Sequence, residues 1–307
     1  MIAVADQPTP PRPGRAVLHG LLDLRPGAAP HRATGAPAEA QGLALAKAYA
    51  FASVDYPGAA QSLTLDSDGT TTVGVFVVDP ASSGSRSTAF TFAGGGYQIL
   101  TVPGSTASIA TGVNASGLII GAYGDLAGLV HGFADDAGTF RDVDFPGAST
   151  TQAIGVDDAG TIVGDYLDPA GIEHGFISAG GTFTTVDFPG AASTAAAGIN
   201  TAGDVVGVWS DATASHGFLL RGGVFTPIDF PLATSTTAFG VNDAGEIAGF
   251  YGDAAGVTHG FVFAGGAFST VDVAGAAATQ LTRVKNDGLV TGVYTDAVTG
   301  QHGLTGH

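Results

Sequence analysis

Residues 186–218 hold the clearest copy of a repeated motif: VDFPG at 186–190, AGINTAG at 197–203, VVG at 205–207 and HGF at 216–218. The aspartate of the first element recurs along the chain, with a threonine in its place in one copy: Asp55, Thr101, Asp144, Asp187, Asp229 and Asp272. The spacings are 46, 43, 43, 42 and 43 residues. A repeat of this length is typical of an array of similar supersecondary units that share one continuous core.

Each copy reads as four short strands, which we call a, b, c and d. In the copy around His259, strand a is predicted at 238–241, strand b at 246–251, strand c around 259–261 and strand d at 268–273. Turns rich in Gly, Asn and Asp separate them, because these residues tolerate the positive φ of tight hairpins. Proline ends most d strands, where pairing stops and the crossover to the next copy begins. Four strands in about 43 residues indicate one blade of a β-propeller.

The two ends of the array predict how it closes. The last copy stops after strand c, at 302–304, whereas 49–56 read as a strand d without a copy of its own. An N-terminal strand that completes the last blade removes the open sheet edge. We therefore predict an all-β fold over residues 47–307, a six-bladed β-propeller with four-stranded blades, closed by the N-terminal strand. The alternative is an open β-solenoid, which would leave that strand unpaired.

Residues 1–46 lie outside the repeat and are rich in Pro, Ala, Gly and Arg, which is typical of a poorly ordered arm. They contain no long apolar run with a small-residue cleavage site and no transmembrane span. The sequence as written therefore predicts a soluble, cytoplasmic protein, and we expect a monomer. The chain has no cysteine, which excludes disulfides.

The formal net charge is −17, and only six of the ten Lys and Arg residues lie in the repeats. Binding to nucleic acid or to an anionic membrane needs clustered cations. We therefore expect neither of these partners, and the acidic surface is explained by solubility.

The run Gly-Ile-Asn-x-x-Gly-x-Val-Val-Gly at 198–207, followed by His-Gly-Phe at 216–218, resembles the bacterial HAF repeat family, named for its His-Ala-Phe tripeptide. The resemblance extends over the whole repeat region. The family is described as extracellular repeat proteins without an established function. The resemblance therefore implies a repeat fold and an exported location, but no reaction.

A histidine occupies one position of strand c in five copies: His131, His174, His216, His259 and His302. In four copies the strand-d aspartate follows 13 residues later, and the deviant first copy has Thr88 and Thr101 instead. Loss of both partners in one copy indicates a structural His–Asp hydrogen bond, with Asp55 serving His302. Positions spread around a ring cannot converge on one ion, so we predict no metal site. Five identical Ser/His/Asp-type catalytic pairs would be redundant.

Two other repeated sets have both a structural and a functional interpretation. Aspartates of the b–c turns are predicted to stabilise the turns; calcium ligation is the alternative, although no copy has the dense spacing of a calcium loop. These aspartates are Asp125, Asp168 and Asp253, with looser versions at Asp79, Asp211 and Asp296. Strand-b aromatics are predicted as core between blades, with a sugar-stacking shelf as the alternative: Phe76, Tyr123, Tyr166, Trp209, Tyr251 and Tyr294.

Two copies that would be neighbours in a closed ring depart from the consensus in strand a. The residue five places before the turn glycine is Gly112, Gly155, Gly198 or Gly240 in four copies, but Arg283 in the sixth and Thr64 in the first. The turn Asn or Asp becomes Lys285 in the sixth copy and Asp66 in the first. Strand a lines the channel of a propeller. These residues therefore predict either simple neutralisation of Asp66 or a pocket for a polar or anionic ligand, with Arg283 partly accessible.

The candidate ligand-binding residues are Arg283, Lys285, Asp66, Thr64, Gln61, Gln152 and Gln280. The leading hypothesis is a non-catalytic binding or interaction propeller, with a small-molecule pocket at the channel mouth near the boundary of the last and first blades. The second is an enzyme, a lyase, cyclase or hydrolase, with Arg283 as electrophilic anchor and Asp66 or Lys285 as acid or base. The third is a multivalent sugar-binding protein. No cofactor is predicted.

Overall fold

The computed structural model describes residues 42–43, 48–79, 86–298 and 300–307, and these contain strands and turns but no helix. Of the predicted arm, only Gly42–Leu43 lies within these ranges, as the two-residue strand β1. The rest of the arm, and residues 80–85 of the first b–c turn, lie outside the described residues. The prediction of an all-β chain is confirmed for the part that the structure describes.

The other strands form six groups, which we call blades 1 to 6. Blade 1 contains β3 (Gln61–Ser67), β4 (Thr71–Val77), β5 (Thr88–Ala93) and β6 (Gly96–Ile99). Blade 2 contains β7 (Ala107–Val113), β8 (Ile119–Gly124), β9 (Val130–Asp136) and β10 (Thr139–Asp142). Blade 3 contains β11 (Thr150–Val156), β12 (Ile162–Leu167), β13 (Glu173–Ala179) and β14 (Thr182–Val186). Blade 4 contains β15 (Ser193–Ile199), β16 (Val205–Ser210), β17 (Ser215–Arg221) and β18 (Val224–Ile228). Blade 5 contains β19 (Ser235–Val241), β20 (Ile247–Gly252), β21 (Thr258–Ala264) and β22 (Ala267–Val271). Blade 6 contains β23 (Ala278–Val284), β24 (Val290–Thr295), β25 (Gln301–Gly306) and, from the N-terminal side, β2 (Phe51–Val54).

Each blade is an antiparallel sheet whose strands pair in chain order a, b, c, d. Two contacts extend this scheme: β1 pairs in parallel with β22 of blade 5, and one parallel bridge joins Thr150 of blade 3 to Val130 of blade 2. In blades 2 to 5 the a–b and c–d turns lie at one end and the b–c turns and crossovers at the other, and strands a and b of blades 1 and 6 run in the same directions. We call these ends the a–b turn face and the b–c turn face.

The N-terminal strand supplies the missing strand of blade 6. Strand β2 pairs antiparallel with β25, from Phe51 opposite Gly306 to Val54 opposite Gly303. Blade 6 also packs on blade 1, where the Thr282 hydroxyl donates a hydrogen bond of 3.4 Å to the Thr64 carbonyl. The first and last parts of the repeat region therefore meet, as the sequence predicted.

The core lies between blades and is built by the same residue types in each repeat. A strand-c phenylalanine is fully buried in five blades: Phe90, Phe133, Phe176, Phe218 and Phe261. Each ring lies beside a strand-b residue that is glycine. A larger residue does not fit there, because its Cβ would overlap the opposite strand-a carbonyl and the phenylalanine ring, as at Gly164 with Gln152 and Phe176. This close approach explains why the strand-b glycine recurs in every blade.

Every a strand contains a β-bulge at the same place. The residues that follow the bulge show which positions of the six blades are structurally equivalent. The strand pairing shifts between Ala153 and Gly155 in blade 3, and between Thr64 and Asp66 in blade 1. Asp66, rather than Thr64, therefore occupies the glycine position of blade 1. The sequence alignment that counted back from the turn glycine was wrong there, because the a–b turn of blade 1 is shorter.

Candidate functional site

A glycine position on strand a is occupied by two opposite charges in neighbouring blades. The bulge places Arg283 of blade 6 and Asp66 of blade 1 in register with Gly112, Gly155, Gly198 and Gly240. Only a glycine lets neighbouring a strands approach this closely: a Cβ on Gly240 would lie 2.8 Å from the Arg283 Cα. The four glycines therefore leave the space that the Arg283 side chain fills.

Arg283 lies at the centre of the molecule and binds main-chain carbonyls of four blades. Its Nη1 donates to Phe239 O at 3.0 Å and Thr282 O at 2.9 Å. Its Nη2 donates to Ile154 O at 2.6 Å and Thr111 O at 3.4 Å. With Nε 3.5 Å from the Asp66 carboxylate, all five guanidinium N–H donors face an acceptor.

Asp66 and Lys285 complete what we call the central charge cluster, Arg283, Asp66 and Lys285. The Lys285 ammonium lies 2.6 Å from Asp66 Oδ1. Asp66 also accepts hydrogen bonds from the backbone N–H of Ser67 at 2.7 Å and of Val113 at 3.2 Å. The buried carboxylate is thus neutralised and fully hydrogen-bonded, which a buried charge requires.

Exposure separates the three members of the cluster. The side chains of Arg283 and Asp66 are 7% and 2% exposed, whereas Lys285 is 28% exposed. Burial lowers the pKa of Arg283, and the charge of Asp66 partly opposes that shift. The sequence predicted a partly accessible arginine; the side chain is instead enclosed because four blades supply carbonyls around it.

A cavity of about 290 Å³ opens on the a–b turn face above this cluster. Its wall contains residues from the a–b turn of every blade, among them Asp68, Asn114, Asp157, Asn200, Asn242 and Lys285. Arg283 and Asp66 also line it. The cavity therefore lies at the centre of the face rather than at one blade boundary.

Carboxylates outnumber cations in the cavity wall. The wall contains two cations, Arg283 and Lys285, and six aspartates: Asp66, Asp68, Asp157, Asp158, Asp243 and Asp287. Hydrogen bonds from the Thr201 side chain and backbone, and from Asn286, lower the pKa of Asp243. The wall thus carries more negative than positive charge, which favours cationic over anionic ligands.

Neighbouring a–b turns are linked by their own side chains. Asn114 Nδ2 donates to Asp157 O at 2.9 Å, and Asn200 Nδ2 donates to Asn242 O at 3.0 Å. Asn242 Nδ2 continues the series to Lys285 O at 3.3 Å. In blades 2, 4 and 5 the turn asparagine therefore fixes its turn to the next blade and supports the cavity wall.

The remaining sequence-predicted site residues lie away from the cavity. Thr64 is buried at the blade 6 boundary beside Gly303. Gln61, Gln152 and Gln280 lie toward the starts of a strands, near the b–c turn face. The structure thus brings together Arg283, Lys285 and Asp66 and separates them from the other four.

The histidines form hydrogen bonds inside their own blades, as predicted. The Nδ1–carboxylate distances are 2.8 Å for His131 with Asp144, 2.9 Å for His174 with Asp187, 3.2 Å for His216 with Asp229, 2.7 Å for His259 with Asp272 and 3.0 Å for His302 with Asp55. The sequence missed a second partner on the other ring nitrogen. Nε2 lies 3.5–3.8 Å from the b–c turn aspartate in all five, as for His259 with Asp253 at 3.5 Å and His216 with Asp211 at 3.8 Å.

The turn aspartates and strand-b aromatics have structural contacts. Asp168 accepts the Ile172 N–H at 2.8 Å, so it closes its own turn. Tyr251 is 9% exposed and stacks on Phe230 with ring centroids 3.6 Å apart. Phe145 stacks on Tyr166 in the same way at 3.7 Å. These contacts favour the turn and core interpretations of both sets.

One polar residue that the sequence analysis missed is Asp165, on strand b of blade 3. It is 1% exposed, and the other blades have Val75, Ala122, Val208, Phe250 and Val293 at its position. Aligning the repeats could have found it, because the residue after the strand-b glycine is apolar in the other five copies and acidic only here. Gln152 donates to it at 3.2 Å, which places that glutamine in a separate polar group.

The described residues include neither a metal-binding cluster nor a membrane-spanning helix. No group of three or more His, Cys, Asp or Glu side chains within these ranges is arranged to hold a metal ion. Within the same part of the chain, no helix has the length and apolar character needed to cross a bilayer.

Comparison with known proteins gives likeness of fold. No protein-family model matches the chain, and no curated protein matches it. The structure is similar to TolB from Acinetobacter baumannii, with TM-score 0.57 and 11% identity, over 78% of this chain; it spans 64% of the TolB chain, less than two thirds. It is also similar to AofleA from Arthrobotrys oligospora, with TM-score 0.50 and 12% identity, over 84% of this chain and 88% of that one.

A fungal lectin from Aleuria aurantia, a six-bladed β-propeller that recognises fucose, matches with TM-score 0.49 and 10% identity over 80% of this chain and 91% of the lectin. At such identities a likeness concerns the fold alone. The chain folds as a β-propeller, and its resemblance to HAF repeats stays a prediction.

Proposed function

We propose that this protein is a closed six-bladed β-propeller that binds a small polar molecule in the cavity on the a–b turn face. The observation that carries the proposal is the cavity itself. It measures about 290 Å³, it is lined by the turns of all six blades, and Arg283 and Asp66 close it from below. A concave site with convergent polar groups on a rigid scaffold is the usual form of a small-molecule site.

The ligand class follows from the free charges in the wall. All guanidinium donors of Arg283 face carbonyls or Asp66, and Lys285 pairs with Asp66 at 2.6 Å. Arg283 has no unused donor and the charge of Lys285 is paired with Asp66, whereas Asp158, Asp243 and Asp287 in the wall have no cationic partner among the described residues. We therefore replace the anionic ligand of the sequence analysis with a neutral polyhydroxylated or cationic one.

The enzyme hypothesis loses its acid and base in this arrangement. Asp66 and Lys285 were its acid–base candidates, and the ion pair joins them to each other. Although Asp66 lines the cavity, it is 2% exposed and its oxygens are engaged by Ser67, Val113, Arg283 and Lys285. A general acid or base must lie within hydrogen-bond reach of the reacting atom. Binding without chemistry is the better supported function.

The multivalent sugar hypothesis requires a similar shallow shelf at each blade boundary. Four of the six strand-b aromatics that would form it stack on a crossover aromatic, as Trp209 does on Phe188 at 4.2 Å, and the other two, Tyr123 and Tyr294, stack on a strand-c histidine. One central cavity, shared by six blades, is the arrangement that a single ligand fits. A monosaccharide-sized ligand in that cavity remains compatible with this proposal.

Three sugars of equal size and different charge test the proposal: glucose, glucosamine and glucuronate. Titration of each into the protein, followed by isothermal calorimetry and backbone amide NMR shifts, reports affinity and location. We expect glucosamine to bind most tightly, glucose next and glucuronate least, with shifts confined to the a–b turns. Tightest binding of glucuronate, or no binding of any of the three at millimolar concentration, would overturn the proposal.

A matched pair of variants assigns the binding to the cavity. Asp243 accepts hydrogen bonds from the backbone and hydroxyl of Thr201 in the cavity wall, and Asp211 accepts the same pair of bonds from Thr213 in a b–c turn. Both Asp243→Asn and Asp211→Asn keep an acceptor and remove a charge. We expect only Asp243→Asn to weaken glucosamine binding; an equal effect of both would indicate nonspecific attraction.

A further inference from the structure

Blade 3 has polar side chains where blade 2 has apolar ones. At three equivalent register positions, on strands a, b and c, blade 3 carries what we call the blade 3 polar cluster: Gln152, Asp165 and Glu173. Blade 2 carries Ile109, Ala122 and Val130 there, and these three belong to one buried apolar group. The polar cluster is therefore not required by the fold.

Asp165 is the buried member of this cluster. Gln152 Nε2 donates to its Oδ2 at 3.2 Å. Its Oδ1 is buried and has no hydrogen-bond partner among the residues that the structure describes. A buried carboxyl oxygen without a hydrogen-bond partner destabilises the folded protein, so its presence here indicates a use outside folding.

Glu173 places a second carboxyl beside Asp165 at the b–c turn face. It is the first residue of strand c, is half-buried and accepts a hydrogen bond from Ser193 of blade 4. Burial and then the charge of Glu173 raise the pKa of Asp165, while the Gln152 hydrogen bond opposes the shift. Burial likewise raises the pKa of Glu173, against the Ser193 hydrogen bond and the charge of His174.

Among the residues that the structure describes, neither Lys nor Arg forms an ion pair with Asp165 or Glu173. Within the described ranges, the ion pairs of Lys and Arg are made by Arg221, Arg283 and Lys285, all with other aspartates. His174 binds Asp187 through Nδ1 and faces Asp168 through Nε2. The two carboxyls thus lie near each other, and His174, which is engaged by two other aspartates, is the charged neighbour of Glu173.

We propose that Asp165, Glu173 and Gln152 bind the ammonium group of a small primary amine that enters between blades 3 and 4 from the b–c turn face. An ammonium group has three N–H donors and one positive charge. The cluster offers two carboxyls and an amide oxygen, with the orphaned Oδ1 of Asp165 as the innermost acceptor. Two carboxyls fall short of the set that a divalent cation takes, so an ammonium fits them better.

The entry side follows from exposure. Glu173 and Gln152 are half-buried, and Ile172, next to Glu173, is 47% exposed in the b–c turn. A small amine that displaces the Gln152 amide from Asp165 meets both carboxyls at once. The site lies at the opposite end of the a strands from the cavity of the a–b turn face, so the two proposals stand or fall separately.

Ethanolamine and ethylene glycol are the probes, since they match in size and differ in the ammonium group. Calorimetric titration of the full chain gives the affinity, and side-chain carboxyl ¹³C shifts of Asp165 and Glu173 give the location. We expect ethanolamine to bind and to move both resonances, while ethylene glycol does neither. Equal binding of the two, or tighter binding of Mg²⁺ than of ethanolamine, would overturn the proposal.

Asp165→Val installs the residue that blades 1, 4 and 6 have at this position, so the variant is expected to fold. It should weaken ethanolamine binding about tenfold or more, as expected for the loss of one charge-assisted hydrogen bond. Asp136→Asn, which removes an exposed acid at the end of β9, is the control and should leave the affinity unchanged. Retained binding in Asp165→Val contradicts the proposal.

The pH dependence of the unmodified protein gives an independent readout. An ammonium ligand favours the ionised carboxyls, so ethanolamine affinity should rise as pH increases through the raised pKa of Asp165, and binding should release protons to buffer. An affinity that is constant over that interval would show that Asp165 is a neutral acid without a ligand.

Discussion

The central charge cluster and the blade 3 polar cluster are both buried exceptions to the repeat, and they differ in one physical property. Every donor of Arg283 and the carboxylate of Asp66 have partners inside the protein. Asp165 has an oxygen without one. A buried charge with all its bonds made serves the fold, whereas a buried acid with an unused acceptor is available to a ligand.

This difference corrects the reasoning that broken symmetry marks a binding residue. Arg283 breaks the symmetry most and is enclosed by four blades, so its replacement must first disturb folding. Asp165 replaces a residue that is apolar in the other five blades, and it indicates a ligand-binding site more strongly than Arg283 does. Satisfaction of hydrogen bonds, rather than departure from the repeat, separates the two.

The largest expected effect is that of Arg283→Gly. Although it restores the repeat consensus, it leaves Asp66 buried with only Lys285 and leaves the carbonyls of three other blades unpaired. Breaking a buried ion pair on one side costs about 3–5 kcal/mol. We expect a loss of that size in the free energy of unfolding, measured by urea denaturation.

The double variant Arg283→Gly with Asp66→Gly is the matched control. It gives all six a strands the same residue, so it should recover part of the lost stability. An Arg283→Gly protein with an unchanged urea midpoint would contradict the structural role of the cluster.

Asp165→Val should stabilise the protein, in contrast to Arg283→Gly. Removal of a buried, incompletely bonded carboxyl is expected to raise the free energy of unfolding by about 1–3 kcal/mol at neutral pH. Because the folded-state pKa of Asp165 is raised, wild-type stability falls as pH increases from the unfolded pKa toward the folded one. The gain should therefore shrink in acid. If Asp165→Val destabilises the protein, Asp165 has a structural role, as Arg283 has.

His259→Ala should have a smaller destabilising effect, about 1 kcal/mol, from loss of the 2.7 Å bond to Asp272. The histidine side chain is 25% exposed, so water partly replaces the bond. Thr88→Ala, at the same position of blade 1, is the control and should change little. Thermal unfolding of the two variants measures the difference, and equal shifts would show that the pair adds nothing.

The smallest effect is a dependence of stability on pH through the histidines. Burial lowers the pKa of His131 and His259, but the hydrogen bonds and charges of Asp144 and Asp272, with those of the turn aspartates, outweigh it and raise the pKa. Their contribution is complete below the unfolded pKa of 6.5 and is lost as pH rises through the folded values. A double His131→Ala, His259→Ala variant should flatten the stability profile there; an unchanged profile would contradict it.

The repeat predicted most of the fold because its motif fixes turns and strand order locally. The His–Asp bonds were predictable from joint loss at Thr88 and Thr101. Alignment of Asp66 with Arg283 was not, since a bulge and a shorter turn in blade 1 shift the register by an amount that sequence spacing does not reveal. The enclosure of Arg283 depends on carbonyls, which have no side-chain signature. The sequence shows that Asp165 differs from the apolar residues of the other copies, but only the structure shows that it is buried with an oxygen that lacks a hydrogen-bond partner.

The reach of Arg283 also bears on how such a molecule can change in evolution. Repeat arrays whose units touch only their neighbours can gain or lose a unit and unfold in stages. Here one guanidinium is bonded to blades 2, 3 and 5 as well as to its own and to blade 1. The arginine therefore couples blades that are not neighbours in the chain, and we expect those blades to unfold together.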